Sequence, residues 1–242
     1  MKSSLRSLKW IAAIALVVVA GWAANLAFNW LGIVPGIAVK EVVIKGELQR
    51  IKREVPDVLV GRVMRGNFFT VDIRDVQNEF EKLPWVRSAS IRRIWPDRLE
   101  VTLEEHVPLA HWGSNALLND RGEIFTAEYE GNLPRFVGPA GSEKEMTAAY
   151  LQYQSQLQKV GRRVVEIAMS ARRAGSVKLD SGMVLALGRS DAQQRLERFV
   201  AVDKLFPELK DRRGYVDLRY PSGFAVKLLG QPKNKENVKA TQ

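Results

Sequence analysis

The chain has 242 residues, 46% hydrophobic and 26% charged, which is the composition of an ordinary folded protein. It contains no cysteine, which excludes a disulfide framework, a cysteine-ligated metal and a thiol nucleophile. The formal net charge is +10, but the basic residues are spread along the chain, so an ordinary solvated surface is favoured over a nucleic-acid-binding surface.

The N-terminal part of the chain has the composition of a membrane anchor. Residues 10–39 carry no charged side chain, and the basic residues Lys2, Arg6 and Lys9 precede them. About 20 helical residues cross the hydrocarbon core of a bilayer, and basic residues favour the cytoplasmic side. We therefore predict a transmembrane helix at residues 10–34.

This prediction fixes where the rest of the chain lies. Residues 1–9 form a cytoplasmic N-terminus, and everything after the helix is delivered across the membrane. A signal peptide cleaved near Ala23 has the same charge pattern but a shorter apolar core. The apolar sequence continues well past that position, so an uncleaved anchor is favoured.

The next segment predicts a small domain with the order strand, helix, helix, strand, strand. A short alternating strand at residues 39–45 precedes a helix at 47–59. Asp72 is the predicted N-cap of a second helix. Residues 86–94 follow as a strand, and the strict alternation of residues 99–103 predicts a half-buried strand beside it.

The following part predicts a β-rich domain with helices beside it. Residues 117–125 read as strand, tight turn and strand. Ser142 with Glu145, and Ser190 with Gln193, have the spacing of capping boxes and predict the starts of two helices.

The remaining strands of this domain are predicted to be antiparallel. Three of them are expected at residues 164–172, 176–179 and 183–187, joined by short turns. A last hairpin is expected from residues 214–219 and 224–228.

The chain resembles a known family at this level of organisation. The strand and helix order of the first domain resembles a POTRA (polypeptide-transport-associated) module. Five stretches are similar to the FtsQ/DivIB cell-division family, namely Leu83–Val86, Ile91–Leu99, Glu104–Trp112, Leu117–Phe125 and Tyr215–Gly223.

The resemblance implies an α+β fold with a single N-terminal transmembrane helix. A POTRA domain (β-α-α-β-β) at residues 39–106 would precede a β-rich domain at 107–229, with an antiparallel sheet and flanking helices. The lysine-rich tail at 230–242 is expected to be disordered. The family resemblance also implies a single-pass, type II protein of the bacterial inner membrane, mostly periplasmic, at the division septum.

No set of residues predicts catalysis. His106 and His111 are the only histidines, and an offset of five in an extended segment places them on opposite faces. No G-x-S-x-G elbow and no phosphate-binding glycine loop is present. We therefore predict a binding protein without catalytic residues, metal, cofactor, nucleic acid or small-molecule substrate.

The predicted partner surface is the final hairpin, because an edge strand offers free backbone groups to another strand. The resemblance implies that FtsB, carried with FtsL, docks there. Arg189 matches a family arginine that pairs with an acidic partner residue, although a plain surface charge is the alternative. For Tyr220 the alternative is a buried aromatic in a turn. The matching positions besides Arg189 are Tyr220, Ser222, Gly223, Phe224, Ala225 and Val226.

A second surface is implied on the POTRA module. Ser88, Ile91 and Arg93 match the family's region for recruitment by upstream proteins such as FtsK, with Ile91 equally readable as a core residue. FtsW and FtsI are further expected partners, in line with a divisome scaffold that recruits and regulates septal peptidoglycan synthesis. The rival hypothesis is a POTRA-containing protein-translocation or outer-membrane assembly component, which predicts cleavage near Ala23.

Overall fold

The computed structural model describes five parts of the chain, which are residues 14–27, 38–51, 59–61, 67–206 and 213–229. The chain divides into two compact units, Met1–Glu105 and His106–Gln242. Each unit has its own hydrophobic core.

Residues 14–27 form a helix with exposed side chains. The predicted transmembrane segment, 10–34, extends beyond this described helix at both ends. Within the described residues, no helix combines the length and the apolar character that a membrane span requires. The predicted cytoplasmic end at 1–9 and the predicted tail at 230–242 lie outside the described residues.

Within residues 38–105, the described part of the first unit contains a three-stranded sheet on which a helix packs. Its elements are β1 (Glu41–Lys45), α1 (Ile73–Glu81), β2 (Val86–Ile94) and β3 (Arg98–Glu105). The spatial order is β1-β3-β2, with β1 parallel and β2 antiparallel to β3. The predicted strand, helix and hairpin are therefore confirmed over the described residues.

The start of α1 follows the predicted capping chemistry. The Asp72 carboxylate accepts hydrogen bonds from the backbone N–H of Arg74 at 2.8 Å and of Asp75 at 3.4 Å. The buried side chains of the helix, Val76 and Phe80, belong to a core that includes residues of β2 and β3. The aspartate thus satisfies backbone donors that a helix leaves unpaired at its first turn.

The helix predicted at residues 47–59 is wrong in its first part. Residues 47–51 are irregular, and 52–58 lie outside the described residues. The backbone N–H groups of Gln49, Arg50 and Ile51 donate to the Glu105 carboxylate at 2.9–3.2 Å. The Glu105 carboxylate at the end of β3 therefore holds residues 49–51 in place, and no local sequence pattern predicts this long-range contact.

Over its described residues, the second unit contains a nine-stranded sheet and two helices. The sheet has the order β12-β11-β10-β9-β8-β7-β4-β5-β6. The helices are α2 (Glu143–Gln158) and α3 (Ala192–Asp203). The strands are β4 (Pro108–Trp112), β5 (Ala116–Asn119), β6 (Ile124–Phe125), β7 (Arg135–Val137), β8 (Val164–Met169), β9 (Gly175–Leu179), β10 (Val184–Gly188), β11 (Gly214–Asp217) and β12 (Ala225–Leu228).

The prediction of an antiparallel sheet is wrong for this unit, because the sheet is mixed. The three successive strands β8, β9 and β10 are antiparallel as predicted. Three other pairs are parallel, namely β4 with β7, β7 with β8, and β10 with β11. Parallel neighbours need crossover connections, and α2 and α3 lie in two of them.

Both predicted capping boxes are wrong as capping chemistry. Ser142 precedes α2, but its hydroxyl donates to the carbonyl of Pro139 at 2.6 Å and caps no helical N–H. The N-cap of α3 is Asp191, in the left-handed region at φ 55°, one residue after the predicted Ser190. In both cases the segment that precedes the helix determines how the N-terminus of the helix is capped.

The core of the second unit lies between one face of the sheet and the two helices. One row of buried or partly buried side chains crosses six strands in register, because each member pairs with the next. The row is Trp112, Phe136, Ile167, Val177, Leu185 and Val216. Alternation along each strand places these residues on one face.

A buried ion pair fixes the end of α3. The Arg162 guanidinium donates to both carboxylate oxygens of Asp203, at 2.9 Å from Nε and 2.5 Å from Nη2. Both side chains are almost fully buried. The pair joins the loop before β8 to the last residue of the helix that covers β10.

Candidate protein-binding site

Strand β12 forms one edge of the nine-stranded sheet. Among the described residues it pairs only with β11, antiparallel, and all four of its residues are exposed. An edge strand presents backbone donors and acceptors that another strand can use. This edge is therefore a surface to which a partner strand can be added.

The register identifies which backbone groups point outward. The N–H of Leu229 donates to the carbonyl of Arg213 at 3.0 Å, just outside the paired segment. Hydrogen-bonded and non-hydrogen-bonded pairs alternate along antiparallel strands. Counting along the register, Lys227 and Ala225 bond to β11, so the N–H and C=O groups of Val226 and Leu228 point to the open edge.

The side chains of β12 are sorted by the same alternation. Val226 pairs with Val216, which lies in the core row, so Val226 and Leu228 are on the face that the helices cover. They nevertheless remain 45% and 43% exposed. Ala225 and Lys227 lie on the other face. The edge thus combines free backbone groups with uncovered apolar side chains.

The turn that leads into β12 is held by α3. Arg198 donates from Nη1 to the carbonyl of Pro221 at 2.5 Å and from Nη2 to that of Tyr220 at 3.4 Å. The Tyr220 and Ser222 side chains are exposed. Phe224 is partly buried and packs against the core of the unit.

A second arginine stabilises the end of β11. Arg219 donates from Nε and Nη2 to the Asp217 carboxylate at 2.8 and 2.6 Å, and its own N–H donates to the same group at 3.0 Å. These hydrogen bonds lower the pKa of Asp217 and raise the pKa of Arg219. The pair is held ionised at neutral pH and keeps the chain after β11 in position.

Arg189 is exposed and follows the end of β10 directly. Strand β10 runs parallel to β11, and the N–H of Leu218 donates to the carbonyl of Ala186 at 3.0 Å. Arg189 therefore lies at the same end of the sheet as the 220–223 turn. Its guanidinium contacts no acidic group within the described residues.

Gly188 allows Arg195 and Arg219 to pack closely against the end of β10. Its φ is +79°, and a Cβ at this position would lie 2.6 Å from Nη1 of Arg195 and 3.2 Å from Cγ of Arg219. Glycine adopts such a conformation without steric cost. The close packing of the two arginines around β10 depends on it.

A surface cavity of about 660 Å³ opens between α3 and the turn. Arginine and carboxylate side chains lie on its wall together, so it offers polar contacts of both signs. The lining residues are Asp191, Gln194, Arg195, Glu197, Arg198, Ala201 and Pro221.

The residues predicted on the POTRA module do not share one surface. Ser88 pairs with Glu104 on the outer face of the sheet, and its hydroxyl donates to that carboxylate at 3.2 Å. Ile91 lies on the opposite face, partly buried against the core. Arg93, on the same face as Ile91, donates from Nε to the carbonyl of Phe68 at 2.8 Å. Ile91 and Arg93 therefore have structural contacts of their own.

Comparison with known proteins decides the family. Residues 37–106 match the model described as the POTRA domain, FtsQ-type, and residues 110–219 match that of the cell division protein FtsQ/DivIB, C-terminal. The chain belongs to the FtsQ/DivIB family of cell division proteins. The FtsQ C-terminal match ends at Arg219, so strand β12 lies beyond it.

Relatives named cell division protein FtsQ cover most of the chain. The protein of Nitrosospira multiformis is 43% identical over 227 residues, 88% of this chain and 96% of its own length. That of Burkholderia pseudomallei is 42% identical, covering 83% and 84%. That of Xanthomonas campestris is 34% identical, covering 93% and 81%. The recognised resemblance to the FtsQ family is confirmed.

The two histidines of this FtsQ-family chain occupy structural positions. The His106 ring stacks on Phe125 with centroids 4.1 Å apart, and the Asn119 side-chain amide lies 3.0 Å from its Nδ1. His111 is half-buried in β4. In the described part of the chain, no group of three or more metal-ligating side chains is assembled.

Sequence reasoning missed the arginines that shape this FtsQ hairpin. Arg195 and Arg198 lie three apart on α3, and Arg195 donates to the carbonyl of Leu187 at 2.6 Å. Such spacing signals a shared helix face. It does not reveal that both guanidinium groups serve backbone carbonyls in β10 and the turn, because those contacts arise from tertiary packing.

Proposed function

We propose that this protein is a non-enzymatic divisome scaffold that binds FtsB, and FtsL with it, by strand addition to β12. The observation that carries the proposal is the open edge of the nine-stranded sheet, where the N–H and C=O groups of Val226 and Leu228 face outward. Backbone pairing supplies affinity in this mode, and alternate side chains supply specificity.

The edge defines what a partner strand must carry. On the helix-side face, an added strand would place its side chains beside Val226 and Leu228, so apolar residues are required there. An acidic residue outside the strand would pair with Arg189 at the turn end of the sheet. A fork-shaped guanidinium holds a carboxylate through two hydrogen bonds.

The N-terminal segment supplies the location. Residues 10–34 would span the bacterial inner membrane once, with residues 1–9 in the cytoplasm and the two folded units in the periplasm. The described helix at 14–27, whose side chains are exposed, supports this assignment. A type II anchor would place the scaffold at the division septum beside its partners.

The two units divide the work of recruitment in this proposal. The β-rich unit binds FtsB and FtsL, and the POTRA unit receives upstream proteins such as FtsK on the sheet face that carries Ser88, whereas Ile91 and Arg93 serve the fold of that unit. Through these contacts the protein recruits and regulates septal peptidoglycan synthesis by FtsW and FtsI. No step requires a cofactor or chemical turnover by this chain.

The test is direct binding of the full chain, in detergent micelles, to its cognate FtsB. We expect the combined substitutions Tyr220→Ala, Ser222→Ala and Arg189→Glu to weaken binding by about tenfold or more, since each removes an exposed contact at the edge. The matched control is Lys144→Glu, a charge reversal beside Gly122 in the β5–β6 turn. Full binding by the triple variant would defeat the assignment of the site.

A further inference from the structure

Three segments of the first unit meet where the chain enters it. Ala38 forms a β-bridge with Asn67. The N–H of Lys40 donates to the carbonyl of Asp97 at 2.9 Å, and its ammonium pairs with the Asp97 carboxylate at 2.9 Å. Because β1 runs parallel to β3, the entry of the chain lies at the same end as the β2–β3 turn.

Arg93 fixes the second of these segments against the sheet. Its guanidinium donates to the carbonyls of Phe68 at 2.8 Å and Val71 at 2.6 Å. Phe68 is buried with Val39 and Leu99. The backbone on either side of Phe69 is thereby held while its ring points away from the core.

Two aromatic rings are exposed at this end of the unit. Trp95, in the β2–β3 turn, is 76% exposed, and Phe69 is 57% exposed. Neither belongs to a core cluster of the unit. Tryptophan is enriched where a bilayer meets water, because its ring is apolar and its N–H donates a hydrogen bond, and an exposed phenylalanine beside it adds apolar surface.

Chain connectivity places a bilayer close to these rings. In the proposed anchor the membrane helix ends at residue 34, four residues before Ala38. Four Cα–Cα steps span at most about 15 Å. The opposite end of β3 lies a further eight residues away, about 26 Å along the strand. The aromatic end is therefore the membrane-proximal end of the unit.

We propose that Trp95 and Phe69 insert into the headgroup boundary of the bilayer that holds the anchor. The inference rests on the proposed anchor and gives the POTRA unit a fixed side toward lipid. Three cations at this end already have partners within the unit, because Lys40 pairs with Asp97, Arg98 with Glu41 at 2.8 Å, and Arg93 donates to backbone carbonyls. Insertion therefore depends on the rings and not on anionic lipid.

The absence of native cysteine allows a clean test on the full chain in lipid nanodiscs. A spin label at Thr70→Cys, beside Phe69, reports whether this end contacts lipid, through its collisions with oxygen and with a water-soluble nickel chelate. We expect a lipid-exposed label. Trp95→Ala with Phe69→Ala should reduce the inserted fraction about tenfold, since each ring loses its apolar burial. The control, Phe206→Ala, removes an exposed aromatic of the second unit and should change nothing.

Two further arms separate the sources of failure. A label at Val18→Cys reports the anchor itself. A lipid-buried Val18 label with a water-exposed Thr70 label overturns the insertion and leaves the proposed function standing, whereas a water-exposed Val18 label removes the anchor and the insertion together. Nanodiscs of zwitterionic lipid alone should give the same Thr70 result as those with anionic lipid. Insertion seen only with anionic lipid would contradict a contact made by the rings.

Discussion

The two edge strands β2 and β12 differ in what they offer to another chain. Strand β2 has nine residues and carries Arg87, Arg92 and Arg93, whose guanidinium groups contact Glu104, Glu100 and the carbonyls of the 68–71 segment. It also has a register shift near its start. Strand β12 has four exposed residues and a single charge, Lys227.

The comparison indicates how one chain can oppose strand addition at one sheet edge and permit it at another. Charged side chains and irregular register are the devices by which proteins blunt edge strands. The first sheet uses both, and the three arginines of β2 are committed to partners in the same unit. The second sheet leaves apolar side chains beside free backbone groups, which is costly unless a partner covers them. We therefore expect changes at β12 to alter binding, and changes elsewhere to alter stability.

The strongest effect is expected from the buried pair of Arg162 and Asp203 in the second unit. Arg162→Ala leaves the Asp203 carboxylate buried without its bidentate partner. We expect a loss of about 3–5 kcal/mol in the free energy of unfolding of the second unit. Denaturant unfolding of the full chain, followed by probes in each unit, measures this loss.

The control for that measurement is Arg173→Ala, which removes an exposed pair with Glu145. Exposed pairs contribute about 0–1 kcal/mol. Equal losses from the two variants would contradict the difference in burial. An unchanged first unit is expected in both, since its core is separate.

The next effect is expected from a substitution that removes an outward-facing backbone donor from β12. Val226→Pro removes an N–H that points away from β11, so the hairpin should survive while an added strand loses a hydrogen bond. An unmet donor or acceptor costs about 1–3 kcal/mol, which corresponds to FtsB binding weakened roughly 5- to 150-fold. Binding is measured by titration with FtsB.

Val226→Ile is the matched control, since it keeps the backbone donor and the apolar side chain. It should bind as the natural chain does. Unaltered binding by Val226→Pro would mean that the open edge is not where the partner pairs.

A smaller effect concerns the turn that presents the strand. Arg198→Ala removes the donors to the carbonyls of Tyr220 and Pro221. We expect binding to weaken by about fivefold, because one net hydrogen bond contributes about 1 kcal/mol. Arg198→Lys should restore part of the affinity. A loss of global stability equal to that of Arg162→Ala would show that the residue supports the core instead.

The smallest expected effect is a dependence of the stability of the first unit on pH. Hydrogen bonds from Lys45 and Arg92 lower the pKa of Glu100 from its ordinary value of 4.5. A carboxylate with a lowered pKa stabilises the folded state above its unfolded pKa, and this contribution is lost as pH falls through the folded pKa. We expect the first unit to lose stability below about pH 4.5, and Glu100→Gln to flatten this slope. Acid unfolding curves of both proteins provide the measurement.

Local chemistry made much of the fold predictable. The cap at Asp72, the strand at residues 99–103 and the last hairpin are encoded within short windows, and the structure contains all three. Glu100 departs from the predicted alternation, because its pairs with Lys45 and Arg92 leave it buried. Neighbouring residues suffice for these elements because capping and alternate burial act over a few positions.

Long-range contacts made the rest unpredictable. The parallel pairing of β4, β7 and β8 depends on where crossovers return, and the Glu105 carboxylate that organises residues 49–51 lies more than 50 positions away. The edge position of β12 could be predicted from the sequence, since the last strand before a polar tail has few strands with which to pair. Arg198 carries no sequence signal for its carbonyl contacts.

Hydrogen exchange of the β12 amides distinguishes an open edge from one that is paired with FtsB. In the free protein the N–H groups of Ala225 and Lys227 should be protected by β11, while those of Val226 and Leu228 exchange fast. Adding FtsB should slow exchange at Val226 and Leu228 and leave the other two unchanged. Fast exchange at Val226 and Leu228 in the saturated complex would contradict binding by strand addition.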